Sequence, residues 1–155
     1  MTGSPLRYVV DASVGVSLII AGELSDRAYG LFAHLAADPP AQFYVPDLFY
    51  VECTNVLWKQ LRWAGYPAAQ ARGDLKNLGS LALRRVSTAE LMIGAFDIAA
   101  AQNITAYDAC YAALSQRVKA PRVTADAKLA RALSRAGYQV EWLGELDVPP
   151  LPAES

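Results

Sequence analysis

The sequence predicts an α/β protein built on a central, mainly parallel β-sheet. Short β-like segments alternate with longer helical patterns along the whole chain, which is typical of a parallel sheet covered by helices. The chain has 155 residues, a length that fits one domain. It contains no internal repeat or low-complexity segment. We therefore expect a single domain over residues 1–155, with a core from about 6 to 143 and a loose, proline-rich tail.

Five β-like segments define the predicted sheet. Each is short and rich in β-branched or aromatic residues, which favour strands. In chain order they are LRYVV (6–10), QFYV (42–45), ALRRV (82–86), PRVT (121–124) and a candidate fifth, YQVEWL (138–143).

The predicted helices fill the intervals between these strands. Four lie in the first half: Ser13–Ile20, a segment capped by Ser25 and reaching about Ala37, a long helix from Asp47 to about Ala64, and one opened by Pro67 that ends near Gly79. Three follow: a helix to about Gln102 with Ser87 and Glu90 as its capping box, one capped by Thr105 that carries Asp108, and one from Asp126 to the C′ glycine Gly137.

Composition excludes several classes of protein. The net charge is −1, so any nucleic-acid contact must come from a local basic patch. The longest apolar run near the N-terminus, VGVSLIIAG, is too short to span a bilayer, and we expect a cytoplasmic protein without a membrane partner. The two cysteines give no disulfide framework, and a single histidine excludes a histidine-rich zinc site.

Four acidic residues stand in apolar surroundings: Asp11, Glu52, Asp108 and Asp126. Asp11 and Asp126 end two β-like segments, and open α/β sheets bind ligands at the carboxyl edge of their strands. Four carboxylates brought together would repel one another unless a cation neutralised them. Oxygen ligands of this kind suit Mg²⁺ or Mn²⁺. The pattern therefore predicts a divalent-metal site.

Each acid also has an ordinary structural explanation. Asp11 and Asp126 could cap the helices that follow them, Asp108 could be the third residue of a helix capped by Thr105, and Glu52 could face water. Nearby polar side chains could orient the acids or hold metal-bound water; these are Ser13, Asn55 and Thr124. For them the ordinary explanation is capping or exposure on a helix surface.

Four segments together resemble the PIN-domain nucleases, most closely the VapC-type toxins of bacterial and archaeal toxin–antitoxin pairs. The segments are VVDASV, VECTNVL, AYDACYAAL and VTADAKL, and the resemblance runs from about Leu6 to Leu143. It implies a three-layer α/β/α fold and cleavage of RNA that depends on Mg²⁺ or Mn²⁺. It also implies a homodimer and an antitoxin partner that blocks the active site.

Carried over by motif, the family's acidic residues fall on Asp11, Glu52, Asp108 and Asp126, and its hydroxyl positions fall on Ser13 and Thr124. The resemblance assigns Asp11, Asp108 and Asp126 to metal binding. Glu52 would bind a second metal ion or orient water. The choice between one ion and two stays open at this point.

RNA contacts are predicted for Lys128 and Arg131, which lie three residues apart beside the predicted site, with Arg135 one turn further. Arg117, Lys119 and Arg122 form a second basic group in the preceding loop. The alternative is that these are solvated surface residues.

Two other functions compete with the nuclease interpretation. A phosphoacceptor receiver domain also gathers acids at strand ends, but it would need an acid pair near the first strand and a strand-end lysine. A non-enzymatic PIN-fold module would keep the fold for binding or assembly alone.

Overall fold

A computed structural model describes residues 4–151 and contains a five-stranded sheet in the order β3-β2-β1-β4-β5. Every neighbouring pair of strands is parallel. The strands are β1 (Arg7–Val10), β2 (Gln42–Pro46), β3 (Arg84–Val86), β4 (Arg122–Thr124) and β5 (Val140–Trp142). The predicted parallel α/β fold is confirmed, including the fifth strand. Receiver domains use the order 2-1-3-4-5, so that alternative is wrong.

The strand order places a topological switch between β1 and β4. Strands β2 and β3 extend the sheet on one side of β1, and β4 and β5 extend it on the other. Asp11 follows β1 directly, and its backbone N–H donates to the carbonyl oxygen of Val123 in β4 at 3.2 Å. Ligands of open α/β sheets bind at such a switch, outside the carboxyl ends of the strands.

Helices cover both faces of the sheet. Val9 and Val10 are consecutive in β1 and therefore point to opposite faces, yet neither is exposed. The helices are α1 (Ala12–Ile19), α2 (Ser25–Phe32), α3 (Leu48–Ala64), α4 (Ala68–Ser80), α5 (Thr88–Gln102), α6 (Ala106–Val118) and α7 (Ala127–Arg135), with a 3₁₀ turn at Ala33–Ala36. None of the helices within residues 4–151 is long and apolar enough to cross a membrane.

Helix α6 is the most deeply buried helix and carries Asp108 at its N-terminal end. Its residues from Ala109 to Ser115 are all buried, because α6 lies against β1, β2 and β4 on one side and against α5 on the other. Asp108 is thus held at the end of an immobile apolar helix, over the carboxyl edge of β1.

Tight packing between α1 and α3 fixes Glu52 near Asp11. A Cβ atom added to Gly15 of α1 would lie 2.7 Å from Cζ of Phe49 and 3.2 Å from Sγ of Cys53, both in α3. Only glycine permits this approach. The neighbour of Cys53 in the chain is Glu52, so the contact brings its carboxylate towards the end of β1.

Two of the predicted caps differ from the structure. Ser25 is the first residue of α2 rather than its N-cap, and its hydroxyl accepts from the Gly22 N–H and donates to the Ile20 carbonyl. Ser87 does cap α5, but the Glu90 carboxylate pairs with Arg117 at 3.5 Å instead of completing the capping box. In both cases a tertiary or loop partner replaces the local one.

The C-terminal segment makes contacts with the rest of the protein as far as Pro149. Leu146 is buried, and its carbonyl accepts a hydrogen bond from Arg27. Nε2 of His34, itself buried, lies 2.8 Å from the Pro149 carbonyl oxygen. The tail therefore docks on α2 and the 3₁₀ turn, while residues 152–155 lie outside the described part of the chain.

Candidate active site

A buried arginine lies between two of the predicted site acids. Nε and Nη2 of Arg122 donate to Oδ2 of Asp11 at 3.1 and 2.9 Å. Nη2 also reaches Oδ1 of Asp108 at 3.3 Å, and Nη1 donates to the Asp108 carbonyl oxygen at 2.9 Å. The Arg122 side chain is only 2% exposed. Arg122 therefore lies in β4, within the predicted strand PRVT, and the predicted basic group with Arg117 and Lys119 is wrong because its side chain points into the protein.

Asp11 both caps a helix and forms this ion pair. Its Oδ1 accepts hydrogen bonds from the Ser13 hydroxyl and from the backbone N–H groups of Ser13 and Val14, at the start of α1. Its Oδ2 faces Arg122. Both oxygens of the Asp11 carboxylate are thus engaged, one by the start of α1 and the other by Arg122.

Glu52 is half-buried and turns towards the other acids. Its Oε1 accepts a hydrogen bond from the Tyr111 hydroxyl at 2.6 Å. Burial raises the pKa of the Glu52 carboxyl above its ordinary value, the Tyr111 hydrogen bond lowers it, and the charges of Asp108 and Asp11 raise it again. Asp11, Glu52 and Asp108 are therefore close enough for their charges to interact.

Tyr111 connects Glu52 with the arginine. Cζ of Arg122 lies 4.9 Å from the centre of the Tyr111 ring, within range of a cation–π contact. Burial and the Glu52 hydrogen bond raise the pKa of the Tyr111 hydroxyl, so it remains a proton donor to Glu52. Sequence reasoning missed Tyr111; its position three residues after Asp108, on the same face of α6, was the available signal.

Asp126 joins this group through its backbone rather than its carboxylate. The exposed carboxylate caps α7 by accepting from the Leu129 N–H at 3.1 Å. Its own N–H donates to the Thr124 hydroxyl, which lies 3.3 Å from the Ser13 hydroxyl. The Ser13 hydroxyl also accepts from the Ala125 N–H at 2.8 Å. Ser13 and Thr124 thus tie the end of β4 to the start of α1.

Comparison with known proteins identifies the family. The profile of the PIN domain family matches residues 8–133. The chain belongs to the PIN domain family. Ribonuclease VapC3 from Pyrobaculum aerophilum is 32% identical over 127 residues, which cover 81% of this chain and 93% of the relative.

Two solved structures share the fold of this PIN domain. VapBC2 from Rickettsia felis, bound to a DNA fragment from its promoter, superposes with a TM-score of 0.66 at 16% identity, over 88% of this chain and 98% of the other. VapC20 from Mycobacterium tuberculosis, a toxin that cleaves the sarcin–ricin loop, gives 0.61 at 18% identity, over 85% and 95%. The three-layer α/β/α arrangement is confirmed.

The donor chemistry of the PIN site fits a hard divalent cation. Its acidic side chains offer carboxylate oxygens alone, the ligands that Mg²⁺ and Mn²⁺ prefer. The Asp108 side chain is 41% exposed, so solvent and ions can reach it. As the side chains stand, no three His, Cys, Asp or Glu residues in the described part of the chain form a ready-made metal cage. Mg²⁺ commonly binds through one or two carboxylates together with water and substrate phosphate, so Asp11 and Asp108 fit it as a pair rather than as a closed cage.

The remaining predicted residues lie further out. Asn55 is exposed on α3, one turn beyond Glu52. Lys128 and Arg131 are exposed on α7, the helix that Asp126 caps. Arg131 lines a surface groove together with Glu141, Glu145 and Asp147. That acidic surrounding makes Lys128 the better placed of the two basic residues to meet a phosphate.

Proposed function

We propose that this protein is a metal-dependent endoribonuclease and the toxin of a toxin–antitoxin pair. The observation that carries the proposal is the approach of Asp11, Glu52 and Asp108 at the topological switch of a PIN fold. The ribonuclease relative, 32% identical over 81% of this chain, supports the choice of RNA as substrate. The reaction is hydrolysis of a phosphodiester bond, which leaves a 5′-phosphate and a 3′-hydroxyl.

The cofactor in this proposal is Mg²⁺ or Mn²⁺. When bound, it would supply Lewis-acid chemistry, polarisation of the scissile phosphate and activation of the attacking water. Asp11 and Asp108 would hold the ion, and Asp126 would join them from the N-terminus of α7. The exposed Asp108 carboxylate gives the ion its route of entry.

Glu52 is the candidate residue for handling the proton of the attacking water. A carboxyl with a raised pKa is a better base near neutral pH than an ordinary one. The Tyr111 hydroxyl fixes one Glu52 oxygen, which leaves the other to orient water. Lys128 and Arg131 would hold the RNA backbone through its phosphates.

An exposed apolar face on α5 supports a homodimer. Met92, Ile93 and Phe96 lie within one turn of each other, and Ile93 and Phe96 are 75% and 70% exposed. Large apolar side chains clustered on a surface mark interaction sites. We assign this face to a second copy of the chain.

A second apolar face, on α3, supports the antitoxin partner. It consists of Val51, Trp58, Leu61 and Trp63, all exposed, with the two tryptophan rings in edge-to-face contact. Val51 is adjacent to Glu52, so a partner helix on this face would reach the active site. We assign this face to the antitoxin, whose binding would block access of RNA.

The arginine among the acids favours a second candidate, a non-enzymatic PIN-fold binding module, because Arg122 pairs with Asp11 and Asp108 and offsets one of their two charges without a metal. Incubation of end-labelled RNA with the protein in Mn²⁺ or in chelator separates the two. The nuclease proposal predicts fragments with 5′-phosphates in Mn²⁺ only. An intact RNA in both buffers, with binding retained, would favour the module.

A further inference from the structure

Arg122 is a buried charged residue at a position of the sheet where apolar residues are usual. It lies in a central strand, in register with Val9 of β1 and Val140 of β5, both apolar. Central strands of parallel sheets are normally apolar on both faces. A buried guanidinium needs partners for its charge and its N–H groups, because burying a charge without them is costly. The contacts of the Arg122 side chain must therefore explain why an arginine is present at this position.

The contacts of Arg122 are directed at the acids. Two of its nitrogens share Oδ2 of Asp11, and two contact Asp108, one at the carbonyl oxygen and one at Oδ1. Its face lies over the Tyr111 ring, whose hydroxyl holds Glu52. A single side chain therefore touches, directly or through one residue, all three acids of the site.

These contacts engage both oxygens of the Asp11 carboxylate and one oxygen of the Asp108 carboxylate. Oδ1 of Asp11 accepts from Ser13 and from the start of α1, and Oδ2 accepts from Arg122. Oδ1 of Asp108 also faces Arg122. An ion bound by both acids would have to lie beside the guanidinium or displace it. Positive charges so close together repel one another strongly, since water screens them poorly at a buried site.

We propose that Arg122 is a resident counter-ion of the active site, which holds Asp11 and Asp108 in place without metal and opposes the binding of a divalent cation to them. The inference rests on the proposed function, since it concerns the metal site of that function. Arg122 is a positioning residue: it is buried and does not reach the RNA. We expect an ion bound by both acids to displace the guanidinium from the shared oxygens, because the alternative places two positive charges side by side.

Replacement of the charge tests this directly. Arg122→Met keeps the length and apolar stem of the side chain and removes the guanidinium. Arg84→Met is a matched control, because Arg84 also opens a strand and also lies over a tyrosine ring, Tyr44 at 5.8 Å, but is exposed. The probe is Mn²⁺ alone, titrated into chelator-stripped protein by calorimetry, with thermal melts in parallel.

The expected result is Mn²⁺ binding that is at least about tenfold tighter in Arg122→Met than in the original chain, since removing a neighbouring positive charge is worth more than one decade of affinity. Arg84→Met should bind as the original chain does. Arg122→Met should also melt lower in chelator and recover more on addition of Mn²⁺. Equal or weaker binding by a folded Arg122→Met would overturn the proposal.

A measurement on the unaltered chain covers the case in which Arg122→Met does not fold. The Arg122 Nε–H signal, assigned with an Arg122→Lys variant, is followed by NMR during titration with Mg²⁺. It should shift or broaden in step with saturation as the guanidinium leaves Asp11. A signal that stays unchanged at saturation would refute displacement while leaving the metal site intact. Failure of either ion to bind at all would refute both this inference and the metal dependence.

Discussion

Replacing Glu52 by glutamine should stabilise the metal-free protein at neutral pH. Glutamine retains an Oε1 atom that can accept the Tyr111 hydrogen bond, so the change removes the charge and keeps that bond in a weaker, neutral form. That charge is partly desolvated and is repelled by Asp108 and Asp11, which together raise the pKa of Glu52 in the folded protein. The stability that this carboxyl contributes is fully present below its ordinary pKa of 4.5 and is lost as pH rises through the raised value.

The magnitude follows from the same contacts. One pKa unit corresponds to about 1.4 kcal/mol, and solvent screening of a half-buried group reduces it. We therefore expect Glu52→Gln to gain on the order of 1 kcal/mol at pH 7. For a chain of this length that corresponds to roughly 2–4 °C in melting temperature.

Urea unfolding in chelator, from pH 4 to pH 8, measures the effect. The gain should be largest at pH 7–8. It should vanish as the pH falls to 4 and below, where Glu52 becomes protonated in both the folded and the unfolded chain. Glu23→Gln removes the same charge from an exposed position and controls for the change in net charge. If Glu52→Gln is less stable than the original chain at pH 7, Glu52 is not in a repulsive acidic site.

Three further predictions concern the supports of the site and its surface. Tyr111→Phe keeps the ring under Arg122 but removes the hydroxyl. It should lower the free energy of unfolding in urea at pH 7 by about 1.5–3 kcal/mol, the contribution of a hydrogen bond to a charged group. An unchanged stability would mean that the 2.6 Å contact with Glu52 contributes nothing. Gly15→Ala should cost about 1–3 kcal/mol because the new Cβ overlaps the buried Phe49 ring, whereas Gly73→Ala, with open space around it, should be neutral or stabilise by up to about 1 kcal/mol. Phe96→Glu should shift light-scattering mass from dimer to monomer with an unchanged circular dichroism spectrum, and a persistent dimer would remove α5 from the interface.

The fold was predictable because its signals are local. Apolar strands and helices alternate, and the caps at Thr105 and Asp126 lie next to the helices that they begin. The hydroxyls of Ser13 and Thr124 were expected near the acids because each lies two residues from one in the sequence. Such features are read from a few adjacent residues, and the sheet order then brings them together.

The role of Arg122 was not predictable, because its partner is distant. Asp11 lies 111 residues away in the chain, and PRVTAD reads equally well as a basic loop or as a strand with a buried arginine. The ion pair between Asp11 and Arg122 also changes the expected effect of substitutions at Asp11. Asp11→Asn would leave the buried guanidinium with only the partly exposed Asp108 as its charge partner, and breaking a buried pair costs about 3–5 kcal/mol. Asp11 is therefore a poor position at which to separate catalysis from folding.

Asp108 is the better position for the decisive test. Asparagine at 108 retains an oxygen for Arg122 and leaves the backbone contact between Nη1 and the Asp108 carbonyl in place. Single-turnover cleavage of end-labelled RNA in Mn²⁺ is compared for the original chain, Asp108→Asn and Asp97→Asn, an exposed acid on α5. The account predicts a loss of at least about a hundredfold for Asp108→Asn, within the range of removing one catalytic group, and an unchanged rate for Asp97→Asn. Cleavage by a folded Asp108→Asn at the original rate would contradict the assignment of this acidic cluster as the nuclease centre.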